Sequence, residues 1–164
     1  MVTGGLGGVG LLRAQSLSRR VEELIQLRRA LRVIEAAVQH LALPAPQAFE
    51  RAARATSGCV RASLAGAADR LRSGPGQPAG EAWLRAMESV ADRCHLQPEE
   101  LGIFRELCLH FGRVDASMQV ELLRDGVARL DGIIEQARQE KERLERLYRF
   151  SGLAIGLALA VMLL

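Results

Sequence analysis

Apolar residues recur along the first third of the chain at the spacing of an α-helix. After Leu17 they follow steps of three and four residues, and the positions are Leu24, Leu27, Leu31, Ile34, Val38 and Leu41. A stripe with this spacing lies on one face of a helix and packs against neighbouring helices. Pro44 and Pro46 end the pattern, because proline has no amide hydrogen to donate and disfavours helix in the residue before it.

Shorter helical patterns follow this turn. Residues 46–57 present Phe49, Ala52 and Ala53 on one face, and the segment after Gly58 presents Val60, Leu64, Ala68 and Leu71. The stretch SGPGQPAG, residues 73–80, predicts a linker, since its glycines and prolines do not sustain a helix. The helical pattern restarts with Trp83, Leu84, Met87, Val90, Ala91 and Cys94.

The sequence QPEE, residues 97–100, is a helix start, with Pro98 suited to the first helical position. Leu101, Phe104, Cys108 and Phe111 then form an apolar face. The longest predicted helix runs from Ala116 to Phe150 and continues into the apolar end of the chain. Its inner stripe comprises Leu123, Val127, Leu130, Ile134, Ala137, Leu144 and Leu147.

These patterns predict an all-α protein, a helical bundle of about six helices whose long N- and C-terminal helices extend into apolar ends. Only 4% of the residues are aromatic, and alanine, leucine and arginine dominate, a composition that favours helices over sheets. We divide the chain into an apolar glycine-rich segment at 1–12, a cytosolic helical bundle at 13–149 and an apolar C-terminal segment at 150–164.

The two apolar ends, MVTGGLGGVGLL and SGLAIGLALAVMLL, carry no charge. Each is shorter than the roughly 20 residues that a membrane-spanning helix needs. A secretory signal peptide places its positive charge before the apolar run, and here the order is reversed. Two alternatives stay open: the N-terminal segment is a disordered glycine-rich tail, or both ends pair as the apolar end of a soluble bundle.

Small residues recur every four positions in both ends, a pattern that lets membrane helices approach closely. The predicted anchor positions are Gly4, Gly8, Leu12, Gly152, Gly156, Ala160 and Leu164. Basic residues flank both segments on the side of the bundle, at Arg13, Arg19, Arg20, Lys141, Arg143, Arg146 and Arg149. The positive-inside tendency then places the bundle in the cytoplasm, with the two ends entering one bilayer as a hairpin.

Charge and cysteine content argue against several other classes of protein. The net charge of +3 comes from 21 arginines and one lysine spread among 19 acids, so we expect no nucleic-acid binding. Cys59, Cys94 and Cys108 form no CxxC pair, and we expect three buried thiols in a reducing compartment. A metal site built from Cys94, His95, Cys108 and His110 is the alternative to this interpretation.

The sequence offers no signature of an enzyme or of a cofactor site. It has no HExxH and no phosphate-binding loop between a strand and a helix. GGLGGVG near the start follows no strand and is not followed by the acidic residue of a dinucleotide site. We therefore expect a non-enzymatic protein without a cofactor.

Gly112, Asp115 and Gln119 form the most specific short pattern of the chain, Gly-x-x-Asp-x-x-x-Gln. Gly112 is placed to end one helix in a left-handed conformation, and Asp115 to cap the next. A structural role explains these two residues, and contact with a partner is the alternative reading. For Gln119, one turn into the helix, a structural role and contact with a partner have equal weight.

The order of these features resembles the stage III sporulation protein AB family over nearly the whole chain. The resemblance rests on the leucine helix LSRRVEELIQLRRALRVIEAAV, on LPAPQAFERAA and on LQPEELGIFRELCLHFGRVDASMQ. It implies a membrane-anchored component of the channel between mother cell and forespore, similar to the cytoplasmic domains of the type II secretion inner-membrane platform protein. The implied partners are a secretion-type ATPase and other channel components.

The leading hypothesis is therefore a membrane adaptor on the mother-cell side, whose cytosolic bundle docks the ATPase. The alternative is a soluble helical interaction module that forms homo-oligomers through its apolar ends.

Overall fold

The protein folds as an all-α bundle, which confirms the predicted fold class. The computed structural model describes the backbone of residues 5–74 and 76–162, and the side chains of residues 15–74 and 76–147. Within this range the helices are α1 (Gly5–Leu41), α2 (Ala45–Ala55), α3 (Gly58–Ser73), α4 (Ala79–Glu88), a short 3-10 helix (Ala91–Arg93), α5 (Pro98–His110) and α6 (Ala116–Met162).

The two long helices, α1 and α6, pack side by side and run in opposite directions. Three cross-helix ion pairs follow one another in step along them: Arg20–Glu140, Arg28–Asp131 and Glu35–Arg124. The C-terminal end of α1 therefore lies beside the beginning of α6. Helices α2 and α3 pack against α1, α5 packs against α6, and α4 packs against α3 and α5.

The predicted inner faces of the two long helices are buried. The buried members are Leu24, Leu27, Leu31, Ile34, Leu123, Leu130, Ile134 and Ala137. The last residues of the two predicted stripes are not buried: Leu41 is 48% exposed and Leu147 is 58% exposed.

Aromatic side chains fill the space between the short helices. The ring centroids of Trp83 and Phe104 lie 4.8 Å apart in a T-shaped arrangement, and those of Phe49 and Trp83 lie 5.4 Å apart. The indole N–H of Trp83 donates to the Ser63 hydroxyl at 3.2 Å, so its polar atom is satisfied inside the core.

Helix α4 ends earlier than its apolar pattern indicates. The pattern continues to Cys94, but α4 ends at Glu88 and Cys94 is extended. The Ser89 hydroxyl donates to the Arg85 carbonyl at 2.8 Å, a local bond that competes with helix continuation. The backbone N–H of His95 donates to the Glu23 carboxylate at 2.6 Å, which ties this segment to α1 instead.

Helix α5 begins without a serine or threonine cap. The backbone N–H of Gln97 donates to Oε2 of Glu100 at 2.7 Å, which is the reciprocal half of a capping box. Glu100 is 2% exposed, and its other carboxylate oxygen accepts from Arg20 of α1. The helix start is thus held by a contact that is distant in sequence.

The first turn of α4 lies directly against the C-terminal end of α5. The backbone N–H of Gly80 donates to the Phe111 carbonyl at 3.1 Å. A Cβ at Gly80 would overlap the Cys108 carbonyl oxygen and lie 2.8 Å from that of Phe111. Only glycine fits this approach of two backbones.

Candidate docking groove

One end of the bundle carries an open groove where α1 ends and α6 begins. It encloses about 560 Å³. Its lining is mostly apolar and comes from four segments of the chain: Val38, Ala42, Leu43, Ala45, Gly76, Gln77, Pro78, Ala79, Phe111, Gly112, Ala116 and Gln119. We name this surface the distal groove, since it lies at the end of the α1–α6 pair opposite to the apolar chain ends.

A second, smaller depression continues the distal groove along α6. It encloses about 360 Å³ and shares Val38 and Ala116 with the first. Arg124 lines this depression, and its guanidinium donates to the side chains of Glu35 and Gln39 of α1 at 2.7 and 3.0 Å. These bonds connect the side chains of α6 and α1 at this depression.

Apolar side chains are exposed beside the distal groove. Leu41, at the end of α1, is 48% exposed, and Met118, in the first turn of α6, is 54% exposed. Each is the chain neighbour of a lining residue. An apolar groove with exposed apolar neighbours is typical of a surface that binds another protein.

Gly112 has the structural role that its sequence position predicts. It follows the C-terminal end of α5 with φ of +83°, in the left-handed region. A Cβ there would lie 2.9 Å from the backbone nitrogen of Ala79. Gly112 therefore shapes the wall of the distal groove and brings α4 close to α5.

Asp115 caps α6, as the sequence predicts. Its Oδ1 accepts from the backbone N–H of Met118 and from the Ser117 hydroxyl, both at 2.8 Å. The Met118 N–H, followed by the Ser117 hydroxyl, holds the pKa of this carboxyl below its ordinary value. Because the folded pKa is lowered, the capping contribution is present above the ordinary pKa of aspartate and is lost as the pH falls.

Gln119 combines a structural contact with a position in the distal groove. Its side-chain amide donates to the Val114 carbonyl at 2.8 Å, and the side chain is half-buried in the lining. The structure thus brings Gly112 and Gln119 to the groove, whereas Asp115 acts as a cap beside it.

The cysteines differ from the sequence prediction of three buried thiols. Cys59 and Cys94 form a disulfide, with Cα atoms 5.8 Å apart, a separation within the ordinary range. Cys108 is the buried free thiol that was predicted, and burial raises its pKa. The prediction was wrong for the pair because residues 35 positions apart meet only when α3 and α4 fold back on each other.

The sequence left open a metal site formed by Cys94, His95, Cys108 and His110. In the described part of the chain these four residues do not form such a site. Within the described residues, a different set, Glu23, Cys59 and Cys94, brings three potential ligand atoms within 4.8 Å of one another. Spacing along the chain gave no indication of Glu23 or Cys59, since each comes from a different helix.

Some of the predicted membrane-flanking arginines fall within the described side chains. Arg19, Arg143 and Arg146 are exposed. Arg20 is placed differently: its side chain is 12% exposed and forms an ion pair with Glu100 at 2.8 Å. Its charge is thus neutralised inside the bundle.

The remaining membrane-related predictions lie outside the described side chains. They concern Gly4, Gly8, Leu12, Arg13, Arg149, Gly152, Gly156, Ala160 and Leu164. Across the described residues, no helix combines the length and the apolar character that crossing a membrane requires.

Comparisons with known proteins agree with this architecture. A solved structure described as "Stage III sporulation protein AB (SpoIIIAB)" superimposes with a TM-score of 0.70 at 22% identity, over 76% of this chain and 98% of that one. At this identity the likeness shows the fold. No curated protein sequence matches the chain. The family described as Stage III sporulation protein AB matches residues 1–164. The chain therefore belongs to the stage III sporulation protein AB family.

Proposed function

We propose that this protein is a non-enzymatic, membrane-anchored adaptor of the channel complex that links mother cell and forespore during endospore formation. Membership of the stage III sporulation protein AB family supports a role in that complex. In this proposal the bundle faces the mother-cell cytoplasm and docks a secretion-type ATPase through the distal groove.

The pairing of α1 and α6 supports the anchoring part of the proposal. Arg20, Arg28 and Glu35 follow one another along α1. Their partners on α6 come in the reverse order along the chain, namely Glu140, Asp131 and Arg124. The two helices keep this register over about four turns of α1. Continued along uninterrupted helices, the same register brings both apolar ends together, so that they enter the bilayer as a pair.

The position of the distal groove is the observation that carries the docking part. It lies at the end of the α1–α6 pair that is remote from the apolar ends, on the side that an anchored bundle presents to the cytoplasm. Its lining is largely apolar, and Gln119 supplies one amide group there. This chemistry suits an apolar helix or loop of a partner, whose burial releases water from both surfaces.

A charge introduced into the distal groove tests this assignment. Ala116 is exposed, begins α6 and lines both depressions. Ala116→Glu keeps the helix, because an acid in the first turn complements the helix dipole. It buries a charge against an apolar partner, so we expect the Kd for the ATPase to rise by about tenfold or more, measured with the full chain in detergent micelles.

The matched control is Ala128→Glu, at an exposed position farther along the same helix. It carries the same added charge outside the distal groove and is expected to leave the Kd unchanged. Equal binding by wild-type protein and both variants would contradict docking at this groove.

Self-association is a second candidate function. Four large apolar side chains, Leu41, Leu109, Met118 and Leu147, are about half exposed, and such positions favour contact with another copy of the chain. In this alternative the apolar ends pair between soluble subunits. The two candidates differ in whether the protein stays on vesicles, which a flotation experiment measures.

A further inference from the structure

Three separate segments bring chemically active side chains together on one side of α1. Glu23 comes from α1, Cys59 from the first turn of α3, and Cys94 from the end of the 3-10 helix. One carboxylate oxygen and the two sulfur atoms all lie within 4.8 Å of one another. The fold therefore assembles two thiol groups and a carboxylate around one point.

This set of atoms matches the ligands that zinc prefers. Thiolates bind Zn²⁺ at about 2.3 Å and carboxylates at about 2.0–2.2 Å, so ligand atoms on one tetrahedral ion lie roughly 3.5 Å apart. When the disulfide is reduced, the two sulfur atoms are free to separate to this distance. Shifts of about an ångström therefore convert the observed cluster into a coordination site.

Glu23 is held in place for such a role by His95. The backbone N–H of His95 donates to Oε2 of Glu23 at 2.6 Å, and Nδ1 of the ring lies 2.9 Å from Oε1. A carboxylate keeps further lone pairs when it accepts two hydrogen bonds. Carboxylates that bind a metal usually accept hydrogen bonds of this kind from residues around the site.

A structural disulfide alone does not account for the carboxylate. A disulfide requires no acid beside it, whereas a carboxylate beside two cysteine sulfur atoms supplies a third zinc ligand. The side chain of Glu23 is 13% exposed, and one of its oxygen atoms lies within 4.8 Å of both sulfur atoms.

We propose that Glu23, Cys59 and Cys94 form a zinc site in the reduced protein, and that formation of the Cys59–Cys94 disulfide releases the metal. Binding of Zn²⁺ displaces two thiol protons and leaves the fourth position to water. On oxidation by a low-molecular-weight disulfide, the two thiolates each lose one electron and join. The oxidant gains these two electrons, takes two protons from the solvent and leaves as two thiols, and Zn²⁺ leaves hydrated. In the reducing cytoplasm, disulfides are typically transient, which suits such an exchange.

The test uses the full chain in detergent micelles, reduced and then titrated with ZnCl₂ against a chromophoric chelator. We expect one tightly bound zinc per chain in wild-type protein and in Cys108→Ser, which lacks the buried thiol outside the cluster. Cys59→Ser and Cys94→Ser are expected to bind none. Glu23→Gln, which keeps both thiols, is expected to bind at least tenfold more weakly.

A second readout follows the exchange itself. Addition of glutathione disulfide to the zinc-loaded protein is expected to release one zinc for every two protein thiols lost, counted by a thiol reagent after glutathione has been removed by gel filtration. Wild-type protein that holds no more zinc than the Cys59→Ser and Cys94→Ser variants would overturn the proposal. So would zinc that stays bound after the disulfide has formed, or an affinity weaker than micromolar. Far-ultraviolet circular dichroism confirms that each variant is folded, and neither the ATPase nor the bilayer enters the measurement.

Discussion

Replacement of Gly80 by alanine is expected to destabilise the bundle by about 3 kcal/mol or more. The added methyl group would overlap the Cys108 carbonyl oxygen, and backbone atoms cannot move aside as the tip of a flexible side chain can. Relief requires α4 to move away from α5, which breaks the bond from Gly80 to the Phe111 carbonyl and loosens the packing of Trp83 on Phe104. Urea unfolding of the full chain in micelles, followed by circular dichroism, measures the loss.

Gly102→Ala is the matched control for Gly80→Ala. Gly102 is exposed on α5, and a Cβ there would meet nothing within 4 Å. Because alanine favours helix over glycine, this variant is expected to gain about 0.5–1 kcal/mol. Equal stabilities of the two variants would show that α4 and α5 do not approach as closely as described.

Replacement of Arg20 by methionine is expected to cost about 3–5 kcal/mol. Methionine keeps an unbranched apolar side chain at this position but removes the charge that faces Glu100. The Glu100 side chain is only 3% exposed, so its carboxylate would remain in the interior with the Gln97 N–H as its other partner. We expect the lost stability to appear as a lower midpoint of urea unfolding. The slope of the transition stays the same, because the variant exposes the same surface area on unfolding.

A double-mutant cycle separates this ion pair from general damage to the fold. Glu100→Gln removes the buried charge and still caps α5, so Arg20→Met with Glu100→Gln is expected to be more stable than Arg20→Met alone. Arg129→Met provides the exposed comparison. Arg129 pairs with Glu106 and Asp125, all three about half exposed, and is expected to contribute less than about 1 kcal/mol. Additive losses in the cycle would contradict a direct pairing of Arg20 with Glu100.

The fold was predictable from the sequence because its elements depend on local spacing. The stripes of Leu24 to Ile34 and of Leu123 to Ala137 are buried as the helical period requires. Gly112 and Asp115 end and begin their helices through backbone geometry that nearby residues determine. Each of these features needs information from only a few neighbouring positions.

The functional surfaces were less predictable because they combine residues from distant parts of the chain. The disulfide joins Cys59 to Cys94 only after the short helices have folded together, and the Glu23 contact adds a third element. The sequence indicated Arg20 as a membrane-flanking charge, but its burial with Glu100 depends on the contact of α1 with α5. The distal groove likewise requires the ends of α1 and α6 to meet. A pattern within one helix shows which face is buried, but not what that face contacts.

Flotation with phospholipid vesicles tests the central claim, that this protein holds a secretion-type ATPase at a membrane. Full-length protein is reconstituted into phosphatidylethanolamine and phosphatidylglycerol vesicles, washed with carbonate, mixed with the ATPase and centrifuged through a density gradient. We predict that the protein remains with the vesicles after the wash, that the ATPase floats only when the protein is present, and that Ala116→Glu reduces the floating ATPase without releasing the protein. Removal of the protein by carbonate, or equal flotation of the ATPase with empty vesicles, would contradict the account.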